Sequence, residues 1–198
     1  MRSLMEMRER LMDPVKPQNE SVFFACCAAD VVVVRVVGRG THLNSPALQE
    51  ITERFFHDNG ATQFVIDLGE CPGMDSTFMG MLAGIAIRQR NAHTGSTVLV
   101  NVNEQNHRLL EVLGLSRLLE IRDAHPHGEP DKLEFLEGRR PELSKLERTL
   151  HMIEAHEQLL NLDTENEVKF QGVLDFLKES LEREKMRLAD KENQNEKK

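Results

Sequence analysis

The chain of 198 residues contains neither tryptophan nor tyrosine, so a surface that stacks nucleobases on aromatic rings is not expected. Basic residues are in the minority: 25 Lys and Arg stand against 33 Asp and Glu, a formal net charge of -8. Neutralising a phosphate backbone takes a basic surface, so this balance argues against a general nucleic-acid binder. Cysteine is limited to Cys26, Cys27 and Cys71. Neighbours on a strand point to opposite faces, so Cys26 and Cys27 are poorly placed to bridge each other. An odd count without a disulfide framework fits a reducing compartment. The longest apolar run, VVVVRVV at 31–37, is interrupted by Arg35 and is far too short to span a bilayer. The opening MRSLMEMRERLMDP is charged throughout and has no apolar stretch before a cleavage site, so it is not a secretory signal. These absences predict a soluble, cytoplasmic protein that binds neither nucleic acid nor membrane.

The signatures of common catalytic sites are also missing. There is no HExxH, no CxxC, no GxGxxG, no GxxxxGK[ST] and no GxSxG. His151 and His156 are five apart, outside the i, i+4 spacing of a helical metal pair. No metal, no cofactor and no enzymatic activity are expected.

What is present alternates between strand and helix signals. Residues 1–19 read as a polar tail or one short helix closed by Pro14 and Pro17. VFFACCA and VVVVRVV read as two strands, with a hairpin as one arrangement. NSPALQEITERFFHDNG reads as a helix with Asn44 or Ser45 as cap, Pro46 in the first turn and Leu48, Ile51 and Phe55 on its apolar stripe. TQFVIDL and STVLVNV read as further strands, and RLLEI as a short last one. Helices are expected over Ser76–Asn91 and from the cap Asn103 to the stop at Gly114. This order predicts an α/β fold with a mostly parallel sheet of four to five strands and helices packed on it, over 20–122.

Residues 123–141 hold three prolines and two glycines and read as a linker, with one helical turn allowed at Leu133–Leu136. In 142–189, Leu143, Leu146, Leu150, Ile153 and Leu160 step by three and four, with Glu157 in the missing place. A second register runs through Phe170, Leu174, Leu177, Leu181 and Leu188, and Thr164 with Glu167 has capping-box spacing. This predicts a C-terminal helical hairpin, or a coiled coil that pairs two copies. Residues 190–198 read as a disordered tail.

One stretch invites a functional reading. ECPGMDSTFMGM sets Asp75, Ser76 and Thr77 where a buried strand gives way to a helix. A helix start leaves about four amide N–H groups without partners. Asp75 or Ser76 as a cap would explain the pair without any function. Equally, the carboxyl ends of strands in an open α/β sheet are where ligands and modifications gather. Gly80 and Gly84 lie on one side of the helix. With Ala83 they form a low ridge, which lets another backbone approach or lets the helix sit close on its own sheet. Met74, Phe78, Met79 and Met81 supply either core or an adaptable apolar surface.

The block from Ser21 to Ile121, above all FVIDLGECPGMDSTFMGMLAGIAIRQRNAHTGSTVLVNVNEQNHRLLEVLGLSRLLEI, resembles a STAS domain, the fold of bacterial anti-sigma factor antagonists. The resemblance implies that the serine after the Asp, here Ser76, is phosphorylated by a partner that is both serine kinase and anti-sigma factor, with Thr77 as fallback acceptor. It implies a partner face at Asp75, Ser76, Thr77, Phe78, Met79 and Gly80, engaged when Ser76 is unphosphorylated. The alternative is a scaffold without a switch, in which residues 142–189 mediate assembly as a homodimer.

Overall fold

In a computed structural model, residues 21–28, 30–58, 63–93, 95–127 and 133–195 are described. The expected tail or helix at 1–19 lies outside them. β1 (Ser21–Ala28) and β2 (Val31–Val37) form an antiparallel hairpin. Parallel to β2 run β3 (Gln63–Asp67), β4 (Ser96–Val100) and β5 (Glu120–Arg122). Each parallel step needs a crossover. These are supplied by α1 (Ser45–Asp58), α2 (Ser76–Asn91) and α3 (Glu104–Val112). The sheet order is β5-β4-β3-β2-β1-β6, where β6 (Leu136–Glu137) lies antiparallel to β1.

Strand alternation sorts the apolar residues onto two faces. Val32, Val34, Val36, Phe64, Ile66 and Leu99 meet Leu48, Ile51, Phe55, Phe78, Leu82 and Leu110 from the helices. Val31, Val33, Val65, Val98 and Val100 face the other way, where Leu133 and Phe135 pack on them. The expected α/β fold with a mostly parallel sheet is present, with six strands among the described residues where four to five were expected. The extra one lies in the expected linker, where Gly138 N–H also donates to Val22 O at 2.7 Å. The allowed helical turn at Leu133–Leu136 is replaced by the approach to this strand.

The C-terminal region is a helical hairpin of α4 (Lys145–Leu162) and α5 (Glu165–Asn195). A capping box opens α4: Glu147 N–H donates to Ser144 Oγ, and Ser144 N–H donates to the Glu147 carboxylate. At the turn, Asp163 Oδ1 accepts from Glu165 N–H at 3.0 Å. The two helices pair through Ile153, Leu174, Leu177 and Leu181, with Leu146, Met152 and Leu160 at the margin. The chain thus folds back on itself here, and α5 continues to Asn195 through part of the expected disordered tail. The expected seam on α4 is corrected at Leu150, which is 44% exposed. The reason is that α4 is covered on two sides. One side faces α5, and the other buries Ala155, His156 and Leu159 toward the domain. Among the described residues no helix is long and apolar enough to cross a membrane.

Candidate functional site

The loop between β3 and α2 zips onto the end of β2. Gly38 N–H donates to Glu70 O (3.0 Å), Gly40 N–H to Gly73 O (3.0 Å), and Asp75 N–H to Gly40 O (2.8 Å). Position 40 has no room for a side chain, since a Cβ there would stand 2.7 Å from the Phe78 ring. This loop aims Asp75 at two sets of amides. Its Oδ1 accepts from Phe78 N–H at 2.8 Å, which makes Asp75 the cap of α2. Its Oδ2 accepts from His42 N–H at 2.9 Å, with His42 Nδ1 a further contact at 3.4 Å. Ser76 is therefore the first helical residue, and the helix start has its cap without the Ser76 hydroxyl.

That hydroxyl meets α4. Ser76 Oγ lies 3.0 Å from His156 Nε2, and His156 Nδ1 lies 2.7 Å from Met152 O. A carbonyl only accepts, so Nδ1 carries a proton, and in the neutral ring Nε2 is then the acceptor. Ser76 then donates its O–H to His156. The edge of the Phe170 ring backs the imidazole at 5.5 Å between centroids. One turn and a half earlier, the same device serves α1. Ser45 Oγ lies 2.7 Å from His151 Nε2, while His151 Nδ1 donates to Gln49 Oε1 at 2.9 Å. Burial holds His151 below the usual imidazole range, against the opposing pull of Asp75 and Glu53, with His42 adding to the depression.

Between the two histidines the helices touch main chain to main chain. A Cβ on Gly80 would stand 2.1 Å from Ala155 O and 2.6 Å from Ala155 C. One turn on, a Cβ on Gly84 would meet Gln158 Cγ at 3.5 Å. The ridge expected at Gly80 and Gly84 does admit another backbone, and it comes from the same chain. Of the six residues expected at a partner face, Thr77, Phe78, Met79 and Gly80 are buried, and Asp75 and Ser76 are half-buried. Of the two readings of Met74, Phe78, Met79 and Met81, core or adaptable surface, the structure gives core for all four.

Sequence reasoning weighed Ser45 as a cap and His151 and His156 as a metal pair, but missed the contacts that join His151 to Ser45 and His156 to Ser76. A usable signal was two histidines set among the apolar positions of one helix, since a buried imidazole needs partners. A Ser76–His156 pair also has the outline of a nucleophile and its base. However, His156 Nδ1 is held by the carbonyl of its own helix and not by a carboxylate that would stabilise an imidazolium. What the pair does in this structure is join α4 to the start of α2.

The second polar cluster lies on the face away from the helices. Asp67 accepts from Asn101 Nδ2 (2.9 Å) and from Gly69 N–H (3.0 Å). Its Oδ2 faces His125 Nε2 at 3.2 Å and Arg35 Nε at 3.6 Å. Burial alone would raise the Asp67 carboxyl, but the bonds from Asn101, Gly69 and His125 hold it below the usual carboxylate range. The Arg35 guanidinium stacks on the Phe135 ring at 4.3 Å, which ties the returning chain to the sheet. Every member is partnered within the fold, so this is a structural latch. Among the described residues, no group of three or more His, Cys, Asp or Glu is arranged to hold a metal ion.

Comparison with known proteins finds one family and several similar solved structures. The family model described as STAS domain matches residues 25–127. Among solved structures, the Thermotoga maritima protein TM1081 is 22% identical with a TM-score of 0.47, over 50% of this chain and 85% of that one. The anti-sigma factor antagonist SpoIIAA in its unphosphorylated form is 19% identical with a TM-score of 0.44, over 52% of this chain and 87% of that one. The Bacillus cell fate determinant SpoIIAA in its phosphorylated form is 19% identical with a TM-score of 0.43, over 50% and 88%.

Proposed function

The chain belongs to the STAS domain family, and from that premise we propose that it is a protein-binding regulator of the anti-sigma factor antagonist kind, switched by phosphorylation of Ser76. The partner is a serine kinase that is also an anti-sigma factor, bound when Ser76 carries a free hydroxyl. The protein works in the cytoplasm and catalyses no reaction of its own. The observation that carries this reading is the division of labour at the helix start. Asp75 caps α2, so the Ser76 hydroxyl is available to a neighbour that is not part of the sheet domain.

The local chemistry suits modification. Phosphorylation adds about -1.5 to -2 charges and three acceptor oxygens. At the start of α2 the amides and the helix dipole tolerate that charge, so the domain keeps its fold. Beside Asp75 the surface becomes strongly negative, and a partner shaped for a neutral hydroxyl is repelled. Ser76 is the acceptor in preference to Thr77, which is buried. Phosphopeptide mass spectrometry on protein from its native cell, with phosphatase inhibitors, tests the reading. Modified Ser76, and a copurifying protein lost with Ser76→Asp, are the expected results. Unmodified Ser76 together with unchanged capture by Ser76→Asp overturns it.

A second reading, assembly through residues 142–189, draws on the exposed Val168, Val173 and Phe176 of α5. Light scattering on the full chain separates it: a dimer that Phe176→Glu turns into a monomer favours assembly.

A further inference from the structure

α4 crosses α2 with no slack. At Gly80 a single methyl group would strike the main chain of Ala155, and Ala155 and Leu159 are fully buried. The crossing is bracketed by Ser76–His156 at the start of α2 and by Ser45–His151 at the start of α1. At the far end Asn166 Nδ2 donates to both Leu113 O (3.0 Å) and Leu159 O (2.9 Å), which pins the hairpin turn to the domain. A surface with a glycine at its centre and a hydroxyl at its edge is the complement of a helix with a small residue at the crossing. In this chain α4 is that helix.

We propose that the α4–α5 hairpin is a built-in occupant of the docking face on α2, that an external partner docks there as a helix with a small residue at the Gly80 crossing, and that a phosphoryl group on Ser76 and the seated hairpin exclude each other. This rests on the reading of Ser76 as the modified hydroxyl. Transfer from a nucleoside triphosphate forms the Oγ–P bond, breaks the P–O bond to the departing nucleoside diphosphate, and gives the hydroxyl proton to the kinase's base. The one donor at Ser76 is thereby replaced by three acceptor oxygens. In the neutral ring His156 Nε2 faces that group with a lone pair, because Met152 O holds the proton on Nδ1. No atom fits between Oγ and Nε2 at 3.0 Å. Acceptor then faces acceptor, beside the Asp75 carboxylate, and the bond is lost. The Gly80 crossing has no slack to absorb the added group, so α4 leaves as a unit, and the phosphorylated face holds neither the hairpin nor the partner that needs a free Ser76 hydroxyl.

The test installs phosphoserine at position 76 of the full chain by genetic encoding and follows hydrogen exchange by mass spectrometry. Amides of 145–162 should lose protection at least ten-fold, while β2, β3 and β4 stay protected. Ala155→Arg, which wedges the crossing open from the hairpin side, should give the same pattern without any phosphate. If that variant also loses protection in the sheet, Gly80→Ala takes its place. Unchanged or increased protection of α4 in the phosphoserine chain, as when a protonated His156 grips the phosphate, overturns the proposal. Neither arm needs a kinase or a partner, so a failure here is distinct from finding Ser76 unmodified in the cell.

Discussion

Replacing Gly80 with alanine sets two effects of opposite sign against each other. Within α2 alone the change is favourable by about 0.8–1 kcal/mol, because glycine is a poor interior helix residue. Across the crossing it is forbidden as the helices stand, with the new Cβ at 2.1 Å from Ala155 O. Restoring ordinary contact needs α4 to retreat by about 1 Å, and the interface forfeits part of its dispersion energy over that gap. The same retreat stretches Ser76–His156 from 3.0 Å and Ser45–His151 from 2.7 Å toward the limit of hydrogen bonding. Two such bonds contribute about 1 kcal/mol each. With the weakened packing of Ala155 and Leu159, the interface loses about 3 kcal/mol and the full chain about 2 kcal/mol net. Urea unfolding of wild type and Gly80→Ala, with m-values compared, reads the sign directly. A variant more stable than wild type by about 1 kcal/mol, with α4 as protected from exchange as before, would refute the close crossing and everything built on it.

Three further outcomes follow from the same geometry. Since burial lowers His151, the folded protein favours its neutral form, so its contribution is complete above the ordinary imidazole value of about 6.5 and is lost as pH falls below it. Amide protection of α4 should therefore decline from pH 7 to pH 5.5 despite the opposing charges of Asp75 and Glu53, and His151→Gln should flatten that decline. Asp75→Ala removes the α2 cap and the His42 contact, and should lower unfolding stability by about 1–2 kcal/mol by urea titration. Gly40→Ala drives a methyl to 2.7 Å from the Phe78 ring in the core, and should lower the thermal midpoint with a cost of about 1–3 kcal/mol.

The elements with strong local patterns were readable directly. Short apolar runs rich in β-branched residues gave β2, β3 and β4, and Ser76–Asn91 stands as α2 over the expected span. The pair Asp75–Ser76 was legible as a helix start, although which residue caps it depended on the path of the Gly38–Gly40 segment. β6 was not legible, because two residues among prolines and glycines carry no periodicity and become a strand only by pairing with β1. The α4 seam was half legible. Counting apolar residues found the side facing α5, but the side facing the domain is built from His151, Ala155, His156 and Leu159. Its partners, Ser45 and Ser76, lie 106 and 80 residues away from their histidines, a separation that no local pattern encodes.

The short return from β6 to α4 has a consequence for any outside competitor. Only the seven residues 138–144 separate the strand from the helix. A segment on so brief a leash presents itself to its target at roughly millimolar local abundance, whatever the protein's own level. A rival at micromolar supply must therefore grip about a thousand-fold harder than the leashed helix to displace it. Weak encounters go unanswered until the leash's own hold is weakened, and the response acquires a threshold.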